Sequence, residues 1–76
     1  MNYKTLNNVQ EVIQSSPYNI YGTVYMDKGQ VTVLLDVEEE EFPTIVKKIE
    51  KLLTENDIFD MIVFDRLKYS EYRRKG

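Results

Sequence analysis

Two runs of alternating residues, on either side of Asp27-Lys28-Gly29-Gln30, dominate the chain between residues 18 and 37. Gly29 can take the positive φ that a tight turn needs, so these runs predict a β-hairpin. With Lys28-Gly29 as a two-residue loop, the predicted pairs on one apolar face are Met26 with Val31, Val24 with Val33, Gly22 with Leu35 and Ile20 with Val37. The other face pairs Tyr25 with Thr32, Thr23 with Leu34 and Tyr21 with Asp36. A slip of one residue would spoil both faces.

Two amphipathic helices are predicted, one on each side of the hairpin. Apolar residues recur at helical spacing from Thr5 to Ser15, and Pro17 ends this helix because it disfavours helical geometry in the residue before it. The second helix is predicted from about Glu40 to Thr54, with Pro43 in its first turn and Asn56 ending it in a left-handed conformation. Its apolar stripe consists of Phe42, Ile45, Val46, Ile49, Leu52 and Leu53.

A third strand is predicted in the almost unbroken apolar run from Ile58 to Phe64, which is typical of a central strand buried on both faces. Residues 66–76 form a basic C-terminal segment, for which a short helical turn and a frayed tail both remain open. The whole chain, residues 1–76, is predicted to be one α+β domain with the order α-β-β-α-β. Because each helix has one apolar stripe, we expect a two-layer sandwich with both helices on one face of a three-stranded sheet. This architecture resembles a ferredoxin-like fold that lacks its first strand.

The chain contains no Cys and no His. This excludes disulfides, cysteine or histidine zinc sites, and the triad and thiol mechanisms of catalysis. Three carboxylates were considered for acid/base work, but Asp60 and Asp65 are predicted to point to opposite sides of one strand, and Asp36 to pair with Tyr21. The three glycines stand apart and form no phosphate-binding loop. The sequence therefore predicts a protein that is not an enzyme and has no cofactor and no metal site.

The formal net charge is −3, and the two signs are separated along the chain. Acidic residues cluster at Asp36 and at Glu38, Glu39, Glu40 and Glu41. Five of the 10 basic residues lie in the last eleven positions: Arg66, Lys68, Arg73, Arg74 and Lys75. This pattern predicts two surfaces of opposite sign. We interpret the glutamates as a solvated helix start, favoured by the helix dipole, because they lack the ligand spacing of a calcium loop.

Composition also bears on location and origin. No stretch approaches the roughly 20 apolar residues that a membrane span needs, so a cytoplasmic protein is expected. Ala is absent, whereas Ile, Asn, Lys and Tyr, which have AT-rich codons, are plentiful. This bias indicates a low-GC prokaryote, or its phage or plasmid.

The predicted binding site is the face of the hairpin that neither helix covers: Tyr21, Thr23, Tyr25, Thr32, Leu34 and Asp36. Tyrosine is enriched at protein interfaces because it combines a large apolar body, a polar tip and little entropy to lose. The alternative interpretation is that these tyrosines serve strand propensity and are half covered by the C-terminal segment.

The favoured functional hypothesis is a protein-binding module, an adaptor or an inhibitor, encoded by a phage or mobile element and acting on a host protein, or forming a homodimer. Encounter would be steered by Glu38, Glu39, Glu40, Glu41, Arg73, Arg74 and Lys75. The alternative is single-stranded nucleic-acid binding, with bases stacked on Tyr21 and Tyr25 and the basic segment following the phosphates. Against this alternative, the face carries Asp36 and no Lys or Arg.

Overall fold

A computed structural model describes residues 3–67 of the chain. In chain order its elements are helix α1 (Tyr3–Gln14), a short 3₁₀ helix (Pro17–Ile20), strands β1 (Gly22–Asp27) and β2 (Gln30–Leu35), helix α2 (Phe42–Glu55) and strand β3 (Val63–Arg66). The predicted order α-β-β-α-β is confirmed, and almost all of the basic C-terminal segment lies outside the described residues. Within residues 3–67, neither α1 nor α2 has the length and apolar character that a bilayer crossing requires.

The hairpin has the predicted register from Gly22 to Leu35. Gly22 faces Leu35, Val24 faces Val33 and Tyr25 faces Thr32. Lys28 and Gly29 have φ values of 51° and 79°. Positive φ at both loop positions is the signature of a type I′ turn, whose twist matches that of the two strands. The local turn chemistry therefore sets the register.

The start of the hairpin differs from the prediction, because residues before Gly22 form a 3₁₀ helix. The Ser16 hydroxyl accepts a hydrogen bond from the Tyr18 amide at 3.1 Å and donates one to the Ile13 carbonyl at 2.7 Å. Ser16 thus caps the 3₁₀ helix, with Pro17 in its first turn. The predicted pair of Ile20 with Val37 is wrong, since Ile20 belongs to this helix and is 82% exposed.

The sheet is mixed, with strand order β1-β2-β3. Strand β1 pairs with β2 in antiparallel fashion, and β3 pairs with β2 in parallel. The prediction of a central third strand starting at Ile58 is wrong: within residues 3–67, β3 has four residues and lies at an edge of the sheet. A complete ferredoxin-like sheet has another strand between the counterparts of β2 and β3, as its split βαβ unit requires. Here the two parallel strands pair directly.

Helix α2 ends in a Schellman motif that explains why the third strand does not begin at Ile58. Asp57, not the predicted Asn56, takes the left-handed conformation, with φ 60°. The Asp57 amide bonds to the Thr54 carbonyl at 3.0 Å, and the Ile58 amide bonds to the Leu53 carbonyl at 2.9 Å. Ile58 and Leu53 are both buried in the core, which is the hydrophobic contact typical of this motif. Ile58 is therefore part of the helix cap and not of a strand.

The core lies between the sheet and the two helices. Its buried residues come from α1, β2, α2 and the loops: Val9, Ile13, Val31, Val33, Leu35, Val37, Ile49, Leu53 and Ile58. Val31, Val33 and Leu35 share one face of β2, because side chains alternate along a strand. Both helices therefore pack on this one face, as predicted, and no helix within residues 3–67 covers the other face.

Candidate functional site

The face of the sheet opposite the helices is formed by two rows of cross-strand neighbours. One row joins Thr23, Leu34 and Asp65, and the other joins Tyr25, Thr32 and Val63. We call these six residues the open face. Four of them were predicted from the hairpin, and the parallel register of β3 adds Val63 and Asp65. Strand β3 thus extends the predicted site by one strand.

The open-face residues differ in how much surface they offer. Thr23 and Tyr25 are exposed, and Tyr25 has 38% of its surface accessible. Leu34 is half-buried. Thr32 is only 1% exposed, with its short side chain between Tyr25 on β1 and Val63 on β3. A partner approaching this face would therefore contact chiefly the Tyr25 ring. It would also contact the accessible groups of both rows of the open face.

Tyr21, the second tyrosine predicted for this site, has a different environment. It is half-buried and packs against the hydrophobic core. Its ring meets the Tyr18 ring edge to face, with centroids 6.1 Å apart and an interplanar angle of 61°. This geometry is the favourable one for aromatic pairs. Tyr21 therefore contributes to packing of the 3₁₀ helix, whereas Tyr25 does not share that role.

A pocket of about 180 Å³ adjoins the open face at the end of β2 that leads to α2. We call it the Asp36 pocket. Its lining residues are Asn19, Ile20, Tyr21, Gly22, Thr23, Leu34, Asp36 and Leu67. The Asp36 amide donates to the Tyr21 carbonyl at 2.9 Å, which retains part of the predicted Tyr21–Asp36 pairing just beyond the ladder. One carboxylate oxygen, Asp36 Oδ1, is buried and has no hydrogen-bond partner among the described residues.

Charge on this side of the sheet is acidic. Asp65 is exposed on the open face, and Asp36 lines the adjoining pocket. Arg66 lies on the other face, because it pairs with Leu35, and its guanidinium donates to the Val37 carbonyl at 3.4 Å. Among residues 3–67, neither the open face nor the pocket lining contains a Lys or Arg.

The residues predicted to steer encounter lie apart from the open face or outside the structure. Glu38, Glu39, Glu40 and Glu41 are all exposed in the connection between β2 and α2. They lie before helix α2, which begins at Phe42 and not at about Glu40. Arg73, Arg74 and Lys75 lie outside the described residues, so their predicted role stays a prediction.

The carboxylates considered for chemistry are not brought together. Asp60 accepts a hydrogen bond from the Thr5 hydroxyl at 3.0 Å, on the side of the sheet where α1 packs. Asp65 lies on the open face. In the part of the chain from residue 3 to residue 67, no three acidic side chains are grouped so that they could hold a metal ion.

Three large apolar side chains predicted at buried strand positions are exposed. Ile20 is 82%, Phe59 74% and Met61 81% exposed. The Ser16-Pro17 pair is a helix-start signal that would have removed Ile20 from the strand. Asp60 between Phe59 and Met61 interrupts the apolar run and was the signal for a loop there. Of the three, only Ile20 borders the Asp36 pocket.

No family model, no curated protein and no solved structure matches this chain.

Proposed function

We propose that this protein is a non-enzymatic protein-binding module that contacts its partner through the open face and the adjoining Asp36 pocket. The observation that carries the proposal is the position of Tyr25, which stands exposed on a sheet face that no helix of residues 3–67 covers. Tyrosines in such positions are frequent anchors of protein interfaces. An adaptor or inhibitor acting in the cytoplasm is the form of this function that we propose. An origin in a phage or mobile element belongs to the same hypothesis and rests on codon composition alone.

The size of the open face indicates that the interface reaches beyond the sheet. Three strands spaced by about 5 Å, with roughly 20 Å of length at about 3.3 Å per residue, present roughly 300 Å² in projection. A stable interface buries about 800 Å² on each partner. The pocket and Ile20 supply further contact area at the border of the face. We therefore include Ile20 in the proposed interface.

The open face favours a protein partner over single-stranded nucleic acid. Nucleic-acid affinity comes largely from Lys and Arg contacts to phosphates, and it falls steeply as salt rises. Asp65 and Asp36 would instead repel a phosphate backbone. The basic segment that motivated the nucleic-acid alternative lies almost entirely outside the described residues, and nothing within residues 3–67 favours that alternative.

The test compares two tyrosine variants in affinity capture from the cell that encodes the protein. Tyr25→Ala removes the open-face ring, and Tyr3→Ala removes an exposed ring from helix α1, where Tyr3 is 54% exposed. A specific partner should be captured by the wild type and by Tyr3→Ala, but lost with Tyr25→Ala, since a central aromatic anchor is worth about 2 kcal/mol or more. Equal capture by all three forms would refute the open face as the interface.

Self-association is separated from binding to a foreign protein by light scattering of the same three forms. A dimer that dissociates only in Tyr25→Ala would identify a second copy of the chain as the partner. Titration with single-stranded DNA and RNA at rising salt tests the remaining alternative. Binding that weakens steeply with salt, and that persists in Tyr25→Ala, would count against a protein interface on this face.

A further inference from the structure

The two edges of the sheet differ in how well they are protected against pairing with a further strand. Within residues 3–67, β1 lies at one edge and β3 at the other. Strand β3 has only four residues, and two of them, Asp65 and Arg66, are charged. Strand β1 has six residues and pairs with β2 without a bulge, and from Gly22 to Met26 it contains no charged residue and no proline. Short length, charge, proline and bulges are the usual means of protecting an edge, so β1 is the unprotected one.

Backbone geometry determines which groups β1 directs away from β2. The Asp36 amide donates to the Tyr21 carbonyl at 2.9 Å, so these two residues form a hydrogen-bonded pair just beyond the ladder. Hydrogen-bonded and non-hydrogen-bonded pairs alternate along antiparallel strands, and the odd-numbered residues of β1 therefore bond to β2. The residues whose amide and carbonyl groups point outward along the edge are Gly22, Val24 and Met26.

The side chains of β1 are also less covered than those of the neighbouring strand. Val24 and Met26 are half-buried, although their cross-strand partners Val33 and Val31 are 0% and 4% exposed. In the described part of the chain β2 has a strand on each side, whereas β1 has one on a single side. A strand added beyond β1 would cover apolar surface of Val24 and Met26 and would pair their backbone groups.

Helix α1 leaves room for such a strand, because it crosses the sheet diagonally. At its start, the Thr5 hydroxyl donates to Asp60 Oδ2 at 3.0 Å, on the segment that leads into β3. Near its end, Ile13 lies over the start of β1, since a Cβ added at Gly22 would be 3.2 Å from Ile13 Cγ2. The helix therefore covers the Gly22 end of β1 and leaves the Met26 end more open, in agreement with the half-burial of Met26.

A second copy of the chain fits this edge in one particular register. When two β1 strands pair antiparallel about a two-fold axis at Val24, Gly22 of one copy faces Met26 of the other, and Thr23 faces Tyr25. A large side chain thus faces a small one in each of these pairs, and the outward backbone groups exchange about six hydrogen bonds. The end of α1 over Gly22 then lies beside the more open Met26 end of the second copy.

The charges of β1 are compatible with this register. Asp27 is the one charged residue of the strand. In the paired strands the two Asp27 residues lie at opposite ends, roughly 20 Å apart at about 3.4 Å per residue. Like charges therefore do not face each other across the two-fold axis.

We propose that two copies of this chain pair through the outer edges of β1, antiparallel about Val24, and form one continuous sheet. The pairing does not depend on the proposed function, but its consequence for partner binding rests on it. The two open faces would join into one surface of roughly 600 Å² in projection, twice that of a single copy. This area is closer to the roughly 800 Å² that a stable interface buries on each partner.

Light scattering of the full chain tests for the dimer at concentrations up to about 1 mM, because an interface of two paired strands is small and small interfaces are weak. Val24→Pro removes the outward amide at the two-fold axis and keeps the bonds to β2, since proline is tolerated where its nitrogen faces away from the sheet. Val24→Ala is the matched control, because it also replaces the valine side chain but keeps the amide. We expect Val24→Pro to weaken the dimer about a hundredfold relative to Val24→Ala, because two hydrogen bonds are lost and two carbonyls are left unpaired. Thermal unfolding verifies that both variants fold.

Cysteine cross-linking tests the register without altering the core side of β1. The chain contains no Cys, and Thr23 and Tyr25 are exposed, so Thr23→Cys and Tyr25→Cys each introduce one accessible thiol. In the proposed register, positions 23 and 25 of different copies are directly opposite, with Cα atoms about 4.5 Å apart, which a disulfide can span. Identical positions are diagonal neighbours at about 7–8 Å, beyond that range. When the two variants are mixed and oxidised, with one of them ¹⁵N-labelled, we expect mixed disulfides in about tenfold excess over identical ones.

Three results would overturn the proposal: a protein that stays monomeric at about 1 mM, a dimer equally stable in Val24→Pro and Val24→Ala, or equal yields of mixed and identical disulfides. A dimer that dissociates in Tyr25→Ala but not in Val24→Pro would place the contact on the open face instead. Partner capture is a separate measurement. A monomer whose capture of a partner depends on Tyr25 would refute the edge pairing alone, whereas a dimer whose capture is independent of Tyr25 would refute the open face alone.

Discussion

Replacing Tyr21 by alanine should lower the free energy of unfolding much more than replacing Tyr25 by alanine. Tyr21 is half-buried against the core and meets Tyr18 edge to face, with centroids 6.1 Å apart. Tyr25 is 38% exposed and pairs across the strands with Thr32. Both variants lose the same phenol ring. Tyr21→Ala removes it from a packed site, whereas Tyr25→Ala removes it from the open face.

The expected loss of unfolding free energy follows from these environments. Removing a fully buried aromatic ring costs about 3–5 kcal/mol. Tyr21 is half-buried, so we take about half of this cost, which gives about 2 kcal/mol for Tyr21→Ala. This value includes the loss of the edge-to-face contact with Tyr18. Tyr25→Ala loses one cross-strand pair and some strand propensity, about 0.5–1 kcal/mol. In a domain of this size, 1 kcal/mol shifts the melting temperature by roughly 4–8 °C, so we expect shifts of about 8–16 °C for Tyr21→Ala and about 2–8 °C for Tyr25→Ala.

Thermal and urea unfolding, followed by circular dichroism, measure both variants against the wild type. Tyr21→Phe serves as the control, since it keeps the ring and should stay within about 0.5 kcal/mol of the wild type. An unchanged urea m-value in all forms verifies that the same surface is exposed on unfolding. If Tyr25→Ala were as destabilising as Tyr21→Ala, the assignment of Tyr25 to an accessible face would be wrong, and the proposed interface with it.

Two further predictions test the packing on the helix side of the sheet. A Cβ added at Gly22 would lie 3.0 Å from the Tyr18 carbonyl oxygen and 3.2 Å from Ile13 Cγ2, so Gly22→Ala should lower the free energy of unfolding by about 2 kcal/mol. Urea unfolding measures this loss, and a variant as stable as the wild type would contradict the close approach. Ile49 is 0% exposed in the core, so Ile49→Ala should lower the free energy of unfolding by about 2–5 kcal/mol. Its neighbour Glu50 is exposed on the same helix, so the control variant Glu50→Ala should stay within about 0.5 kcal/mol of the wild type. Equal melting temperatures for these two helix variants would show that α2 does not bury the face assigned to it.

Local patterns in the sequence determined much of this fold. The turn at Lys28 and Gly29 and the alternation around it set the hairpin register, since turn geometry and side-chain period act within a few residues. Apolar stripes at helical spacing placed α1 and α2 to within a few residues, and both stripes needed the same apolar face of the sheet. The open face could therefore be expected from the sequence alone.

Other features were not reported by the apolar pattern. The apolar run from Ile58 was divided between a helix cap and a short strand by the Schellman motif, in which the Ile58 amide bonds to the Leu53 carbonyl. The parallel register that brought Asp65 onto the open face depends on pairing between residues far apart in the chain. Tyr21 and Tyr25 differ in environment because Tyr21 meets Tyr18 of the 3₁₀ helix, and strand alternation reports neither this contact nor the burial of Asp36 Oδ1. Sequence patterns report which side of an element is apolar, whereas the burial of an individual polar atom is decided by the elements that tertiary packing places around it.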